Sequence, residues 1–127
     1  MLNTETAFWA AYQVARSALM SELRTGDTVL ADGMVIRLGE RKVWQDESGR
    51  DVFTFAGTVL NREELTGDDG RAVWPLTGLL RTDTDTPERM RDNPYDGAWR
   101  WTVQGNDLRH IRIIPPDELH RIPHLTV

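Results

Sequence analysis

The N-terminal part of the chain has apolar residues spaced as in an amphipathic helix. Between residues 4 and 24 they recur at steps of three and four, which places them on one helix face. These apolar residues are Phe8, Tyr12, Ala15, Leu19 and Leu23. Gly26 follows at a position where the left-handed conformation commonly ends a helix. The pattern predicts a helix over residues 4–24 whose apolar face is buried, with Trp9 and Met20 widening the apolar stripe.

The period changes to two after Gly26, where "TVLADGMVIRL" predicts a β-hairpin. Asp32-Gly33 suits a two-residue turn with positive φ. That turn aligns Val29 with Ile36 and Ala31 with Met34, so that apolar side chains share one face.

A second hairpin is predicted in "VWQDESGRDVFTF". A two-residue turn at Ser48-Gly49 would pair Trp44 with Phe53, an aromatic cross-strand pair. The strand is expected to continue through "FAGTVL", with Gly57 at a bulge or bend.

Turn residues interrupt the middle of the chain. There "VWPL" and "GLL" predict one short strand, and "PERMRD" predicts a single helical turn. A further short helical turn is expected in the tail at "PPDELHRIPHL".

The last predicted hairpin lies in "AWRWTVQGNDLRHIRII", residues 98 to 114. Only an odd loop length gathers its apolar residues on one face, because a one-residue slip turns every side chain of a strand over. A three-residue loop at 105–107 pairs Trp101 with Ile111 and Trp99 with Ile113.

The opposite face of this hairpin would then carry Arg100 against Arg112 and Thr102 against His110, with Gln104 beyond. Like charges directly opposite each other destabilise a sheet, so these arginines need a neutralising group. Two sources remain open: an external anion, or upstream acidic residues of this chain. Those acidic residues are Asp83, Asp85, Glu88 and Asp96.

The order of elements predicts one α+β domain over residues 1–127 that is mostly β. An N-terminal helix over 4–24 precedes antiparallel hairpins over 27–114 and a tail over 115–127. Five or six strands would form a strongly bent antiparallel sheet or a small, partly open barrel of the SH3-like or OB-like type. A flatter sheet with the helix on one side is the alternative.

Composition narrows the function classes. The 127 residues carry a formal net charge of −5, which disfavours general binding to nucleic acid. Cysteine is absent, so thiolate catalysis and cysteine-ligated zinc are excluded. The first twenty residues resemble neither a signal peptide nor a membrane span. We expect a cytoplasmic protein that needs no cofactor and does not bind a membrane.

No motif for catalysis or metal binding stands out. Three serines, at positions 17, 21 and 48, lie outside any "GxSxG" context. His120 and His124 have a metal-ligand spacing, but Pro123 lies between them and breaks the helix that would align them. "DTDTPE" lacks the glycine of a calcium loop. We therefore predict no catalytic or metal-binding residue.

The expected function is a small, non-catalytic binding or adaptor module for a protein partner, suited to an accessory or regulatory protein of a phage or mobile element. The predicted binding residues form two separate surfaces, the last hairpin and the flank of the first helix, where self-association is an option. They are Arg100, Thr102, Gln104, Arg109, His110 and Arg112 on the hairpin, and Trp9 and Met20 on the helix. The alternatives are a nucleic-acid-binding barrel that uses the arginine face and a small hydrolase with an Asp/His cleft.

Overall fold

A computed structural model describes residues 6–31, 33–65 and 100–125 of the chain. The helix α1 spans Ala7–Val14. The strands are β1 Arg16–Leu19, β2 Thr28–Ala31, β3 Met34–Gln45, β4 Asp51–Val59, β5 Arg100–Asn106 and β6 His110–Ile114. Two 3₁₀ segments, Met20–Glu22 and Pro116–Arg121, complete these elements, and the second lies at the predicted C-terminal turn.

Several expectations fall outside the described residues. They are the strand at "VWPL" and "GLL", the helical turn at "PERMRD", the position of Trp99, and the four acidic residues Asp83, Asp85, Glu88 and Asp96.

The six strands form one antiparallel sheet in the order β1-β6-β2-β3-β4-β5. This confirms the predicted α+β class, mostly β, and within the described part of the chain the sheet is not closed into a barrel. A turn in which Arg109 N donates to Asn106 O at 3.1 Å joins β5 to β6. A turn of this kind spans less than about 7 Å, whereas four strand spacings in a flat sheet span about 19 Å. The sheet must therefore curve strongly.

The curved sheet has an apolar core on each face. The inner core collects side chains from all six strands, and Phe55, Ile36 and Val29 are fully buried within it. The outer core lies between the sheet and α1, where Ala7 and Ala11 are buried with residues of the sheet and the C-terminal segment. Those residues are Leu30, Val35, Leu60, Ile114 and Ile122. We call these two sides of the sheet the inner face and the outer face.

The predicted helix over 4–24 is wrong in its length. The helix begins after the cap residue Thr6, whose hydroxyl accepts from Trp9 N, and it ends at Val14. The next residues pair as β1 with β6, from Arg16 opposite Ile113 to Leu19 opposite His110. Backbone pairing with an otherwise open strand edge overrides helical periodicity here.

The buried face of α1 also differs from the prediction. Ala7, Ala10 and Ala11 face the sheet, whereas Phe8 is half-buried and Tyr12 is exposed. Small side chains let the helix backbone approach the sheet closely, so the aromatic rings are displaced to its flank.

The first hairpin is confirmed in register. Val29 lies opposite Ile36 and Ala31 opposite Met34, and Gly33 has a φ of +85°. The local turn chemistry was sufficient to define this pairing.

The second hairpin is displaced by one residue from the prediction. Trp44 pairs with Val52 and not with Phe53, because a three-residue loop closes at Asp46 and Arg50. The Asp46 carboxylate accepts from the Ser48 N–H, the Ser48 hydroxyl and the Arg50 N–H. These bonds stabilise a turn in which Gly49 N donates to Asp46 O at 3.0 Å and Gly49 takes the left-handed conformation, with a φ of +82°.

A bulge divides β3 into two parts. Gly39 and Glu40 together oppose one residue of β4, Ala56. The sequence predicts a bulge at Gly57 of β4. The bulge lies instead on the paired strand β3, next to the residue opposite Gly57. Close packing explains Gly57, since a Cβ there would lie 2.4 Å from the Ile36 side chain. Residues 41–45, beyond the bulge, are exposed.

The prediction for the third hairpin is wrong about which strands pair. It is right that Trp101 and Ile111 face the same core. β5 pairs with β4, and β6 pairs with β1 and β2, so Arg100 lies opposite Thr58 and not opposite Arg112. Trp101 and Ile111 nevertheless both pack in the inner core, as expected from the odd number of residues in the predicted loop. The like-charge pair that called for an anion does not form, because both edges of β6 are occupied by other strands.

Candidate binding surface

An aromatic stack lies on the flank of α1. Trp9 and Tyr12 are one turn apart, and their rings stack at 5.9 Å between centroids with an interplanar angle of 4°. Phe8 adds a tilted contact to Tyr12 at 6.4 Å. Trp9 is 55% exposed and Tyr12 is 40% exposed, so two large rings face solvent side by side.

Arg112 of β6 extends this stack. Its guanidinium carbon lies 4.6 Å from the centroid of the Tyr12 ring, which is cation–π geometry. In the sheet Arg112 has Ser17 of β1 on one side and Leu30 of β2 on the other. We call Trp9, Tyr12 and Arg112, together with the pocket beside them, the aromatic–arginine surface.

The pocket of this surface has a volume of about 400 Å³. Its polar rim contains Arg109, His110 and Arg112, and the Ser17 hydroxyl lies 3.3 Å from His110 Nδ1. The remaining lining residues are Leu30, Ala31 and Ile111, so none of the described residues that line the pocket is acidic. Two arginines therefore produce a locally cationic surface on a protein of net charge −5.

The structure combines parts of the two predicted surfaces. Trp9 from the helix and Arg112 from the last strand both contact Tyr12, and Arg109 and His110 line the adjoining pocket. From the sequence alone, the helix flank and the arginine face are two separate surfaces.

The other predicted residues lie elsewhere. Met20 is fully buried in the inner core, so its assignment to an exposed helix flank is wrong; the chain leaves the helix before this position. Arg100 and Thr102 belong to β5, an edge strand of the described sheet, whereas Gln104 of the same strand accepts a hydrogen bond from Arg109 Nη1 through its backbone carbonyl. There the Thr54 hydroxyl donates to Gln104 Oε1 at 3.1 Å.

Two residues of this surface were missed. Tyr12 was assigned to the buried stripe of the helix, and Ser17 was placed on a helix although it lies on β1. The three-residue spacing of Trp9 and Tyr12 was the available sequence indication of an aromatic pair. Nothing local indicated that Arg112 would lie over it.

A buried polar network fixes α1 to the sheet. The Glu64 carboxylate accepts from Ala7 N at 2.6 Å and from Phe8 N at 3.1 Å, which satisfies donors of the first helical turn. Fully buried Asn61 donates to Glu64 Oε2 at 2.8 Å and accepts from Val35 N at 2.9 Å. Asn61 and Glu64 thus hold the helix, and with it the aromatic stack, against β3.

A second group of exposed aromatic and apolar residues lies at the far end of β3. Arg41 places its guanidinium carbon 5.1 Å from the Phe53 centroid, while Val43 and Trp44 are about half exposed. The indole N–H of Trp44 donates to Thr54 at 3.2 Å. We call Arg41, Val43, Trp44 and Phe53 the hairpin tip.

Comparisons with protein-family models, with curated proteins and with solved structures find no significant match. Among the described residues, no helix has the length and apolar character needed to cross a membrane. Nor do those residues contain three or more metal-ligating side chains in one group.

Proposed function

We propose that this protein is a non-catalytic binding module whose aromatic–arginine surface binds an acidic segment of a protein partner. The observation that carries the proposal is the stack of Arg112, Tyr12 and Trp9 beside a pocket whose lining, among the described residues, includes two arginines and no acidic side chain. A module of this kind would act as an accessory or regulatory protein.

The residue types support a protein interface. Tryptophan, tyrosine and arginine supply a large share of the binding energy at protein interfaces. Trp9 and Tyr12 are held by stacking, so they lose little conformational freedom when a partner covers them. Arginine pairs with carboxylates through two parallel hydrogen bonds, which makes Arg112 suitable for aspartate and glutamate side chains, while Arg109, bonded to the Gln104 carbonyl, adds positive charge beside it.

A protein partner is favoured over nucleic acid. Arg109, His110 and Arg112 stay together, but Arg100 lies on β5, so the four-residue phosphate-binding face is divided. The net charge of −5 repels a polyanion over the rest of the surface. A short acidic segment needs only the local cationic patch and the adjacent rings.

The proposal can be tested by selecting peptides from a random display library on the immobilised protein. The selection would be repeated on Trp9→Ala/Arg112→Gln and on a matched control, Trp44→Ala/Arg41→Gln. The control also removes one half-exposed tryptophan and one arginine that covers an aromatic ring. We expect selected peptides rich in Asp and Glu that bind the native protein and the control, and bind Trp9→Ala/Arg112→Gln at least about tenfold more weakly.

Three results would contradict the proposal. Peptides that bind both double variants equally would place binding outside this surface. Tighter binding to a single-stranded oligonucleotide, falling steeply with salt, would favour the nucleic-acid alternative. A concentration-dependent dimer that Trp9→Ala abolishes, seen by sedimentation, would instead identify the helix flank as a self-association surface.

A further inference from the structure

A second cavity lies on the outer face, beside the C-terminal segment. It has a volume of about 430 Å³, within the range of small-molecule sites. Leu60 and Ile122 are almost fully buried in its wall, and Leu119 and Leu125 pack partly buried against the same core. Its interior is therefore mainly apolar.

Nitrogen-bearing side chains supply most of the polar lining of this cavity. Arg37 of β3 and two histidines of the C-terminal segment, His120 and His124, line it. None of the described residues in the lining is acidic. The acid closest to them in an observed contact is Glu63, with a carboxylate oxygen 3.9 Å from His124 Nδ1.

The fold brings these groups together from distant parts of the chain. Arg37 lies opposite Thr28, and Thr28, only 2% exposed, adds a hydroxyl-bearing residue to the lining. After the 3₁₀ segment the chain turns at His124, which has a φ of +60°, an uncommon value outside glycine. This turn places Leu125 as well as His124 in the lining.

We infer that this cavity binds a small organic carboxylate whose apolar body contacts the leucine and isoleucine side chains while its charged end pairs with Arg37. An apolar interior with an arginine in its lining matches such an amphipathic anion. This site is separate from the aromatic–arginine surface and does not depend on the proposed function.

The inference can be tested with 4-phenylbutyrate and its uncharged counterpart 4-phenylbutanol. Binding would be followed by amide NMR shifts and by calorimetry. We expect saturable shifts centred on Thr28, Leu60 and Ile122, with the carboxylate binding about fivefold more tightly than the alcohol.

Variants of the exposed Arg37 test whether this residue binds the carboxylate of the probe. Arg37→Gln should abolish the preference for the carboxylate, and Arg37→Lys should retain most of it. Arg41→Gln, on the same strand beyond the bulge, is the matched control and should leave the preference unchanged.

Other outcomes overturn the inference. No saturable binding at roughly 10 mM probe would mean that the cavity has no useful affinity for this class. Shifts located away from the lining residues would place the probe elsewhere. Equal affinity for acid and alcohol, or a preference that survives Arg37→Gln, would exclude the proposed role of Arg37.

Discussion

The aromatic–arginine surface and the hairpin tip contain the same residue types, but they differ in how exposed the aromatic ring beneath the arginine is. Each has a tryptophan about half exposed and an arginine over an aromatic ring, at 4.6 Å from Tyr12 in one and 5.1 Å from Phe53 in the other. Under Arg41 the ring of Phe53 is 5% exposed and belongs to the inner core. Under Arg112 the ring of Tyr12 is 40% exposed and stacks on another exposed ring.

The polar groups around the two regions differ as well, because those at the hairpin tip are paired with one another. At the hairpin tip the Trp44 N–H bonds to Thr54, and Thr54 in turn bonds to Gln104. The adjacent loop carries the ion pair of Arg50 with Asp107, at 2.9 Å. Around Arg112 the pocket is lined by Arg109 as well, and no acidic side chain belongs to its lining within the part of the chain that the structure describes. Arg41 thus serves to cover the core, whereas Arg112 helps to form a surface that a partner could cover.

The largest expected effect comes from removing the buried ring beneath Arg41, with the exposed ring beneath Arg112 as the comparison. Phe53→Ala should lower the free energy of unfolding by about 3–4 kcal/mol, because it leaves a cavity in the core. Tyr12→Ala should lower it by about 1 kcal/mol or less, because the ring is already partly solvated. Urea unfolding of both variants measures the difference, and equal losses would contradict the distinction between the two regions.

The buried amide that anchors α1 should give the next largest effect. Asn61→Ala removes the partner of Val35 N and of Glu64, and we expect a loss of about 2–3 kcal/mol in unfolding free energy. Amide exchange should increase in α1 and leave residues 41–45 unchanged. Gln45→Ala, exposed at the end of β3, is a suitable control. Unchanged exchange in α1 would show that Asn61 does not hold the helix.

The two arginines themselves should differ by a smaller amount. Arg41→Gln should cost about 1 kcal/mol, because water gains access to Phe53 as the cation–π contact is lost. Arg112→Gln should cost about 0.5 kcal/mol, since Tyr12 is exposed already. The same unfolding experiment resolves this order, and a reversed order would mean that Arg112 has the greater structural role.

The smallest expected effect concerns the loop of the hairpin tip. Hydrogen bonds from the Ser48 hydroxyl, with those from the Arg50 and Ser48 N–H groups, hold the pKa of Asp46 below its ordinary value of 3.8. Because the folded-state pKa is the lower one, the stabilisation is present above pH 3.8 and is lost as pH falls through the folded-state pKa.

Carboxyl NMR titration of Asp46 measures this directly. Asp46→Asn should reduce the acid-dependent loss of stability of the β3–β4 hairpin without altering α1. A titration midpoint at or above 3.8 would contradict the assigned hydrogen bonds.

The sequence by itself determined those features that depend on neighbours in the chain. The Asp-Gly sequence between β2 and β3 predicted their register correctly, because few two-residue turns suit such a pair. The alternation of side chains fixed which residues of the last two strands face the core, so Trp101 and Ile111 pack inward and Arg112 faces out.

Tertiary structure decided which strands are neighbours and where the helix ends. Residues 16–19 have a helical pattern, yet they form β1 because β6 offers an unpaired edge. Arg112 contacts Tyr12 only because α1 packs across β6 through its alanines. Pairing and packing of this kind join residues a hundred positions apart, and their free energy depends on contacts that no local pattern encodes.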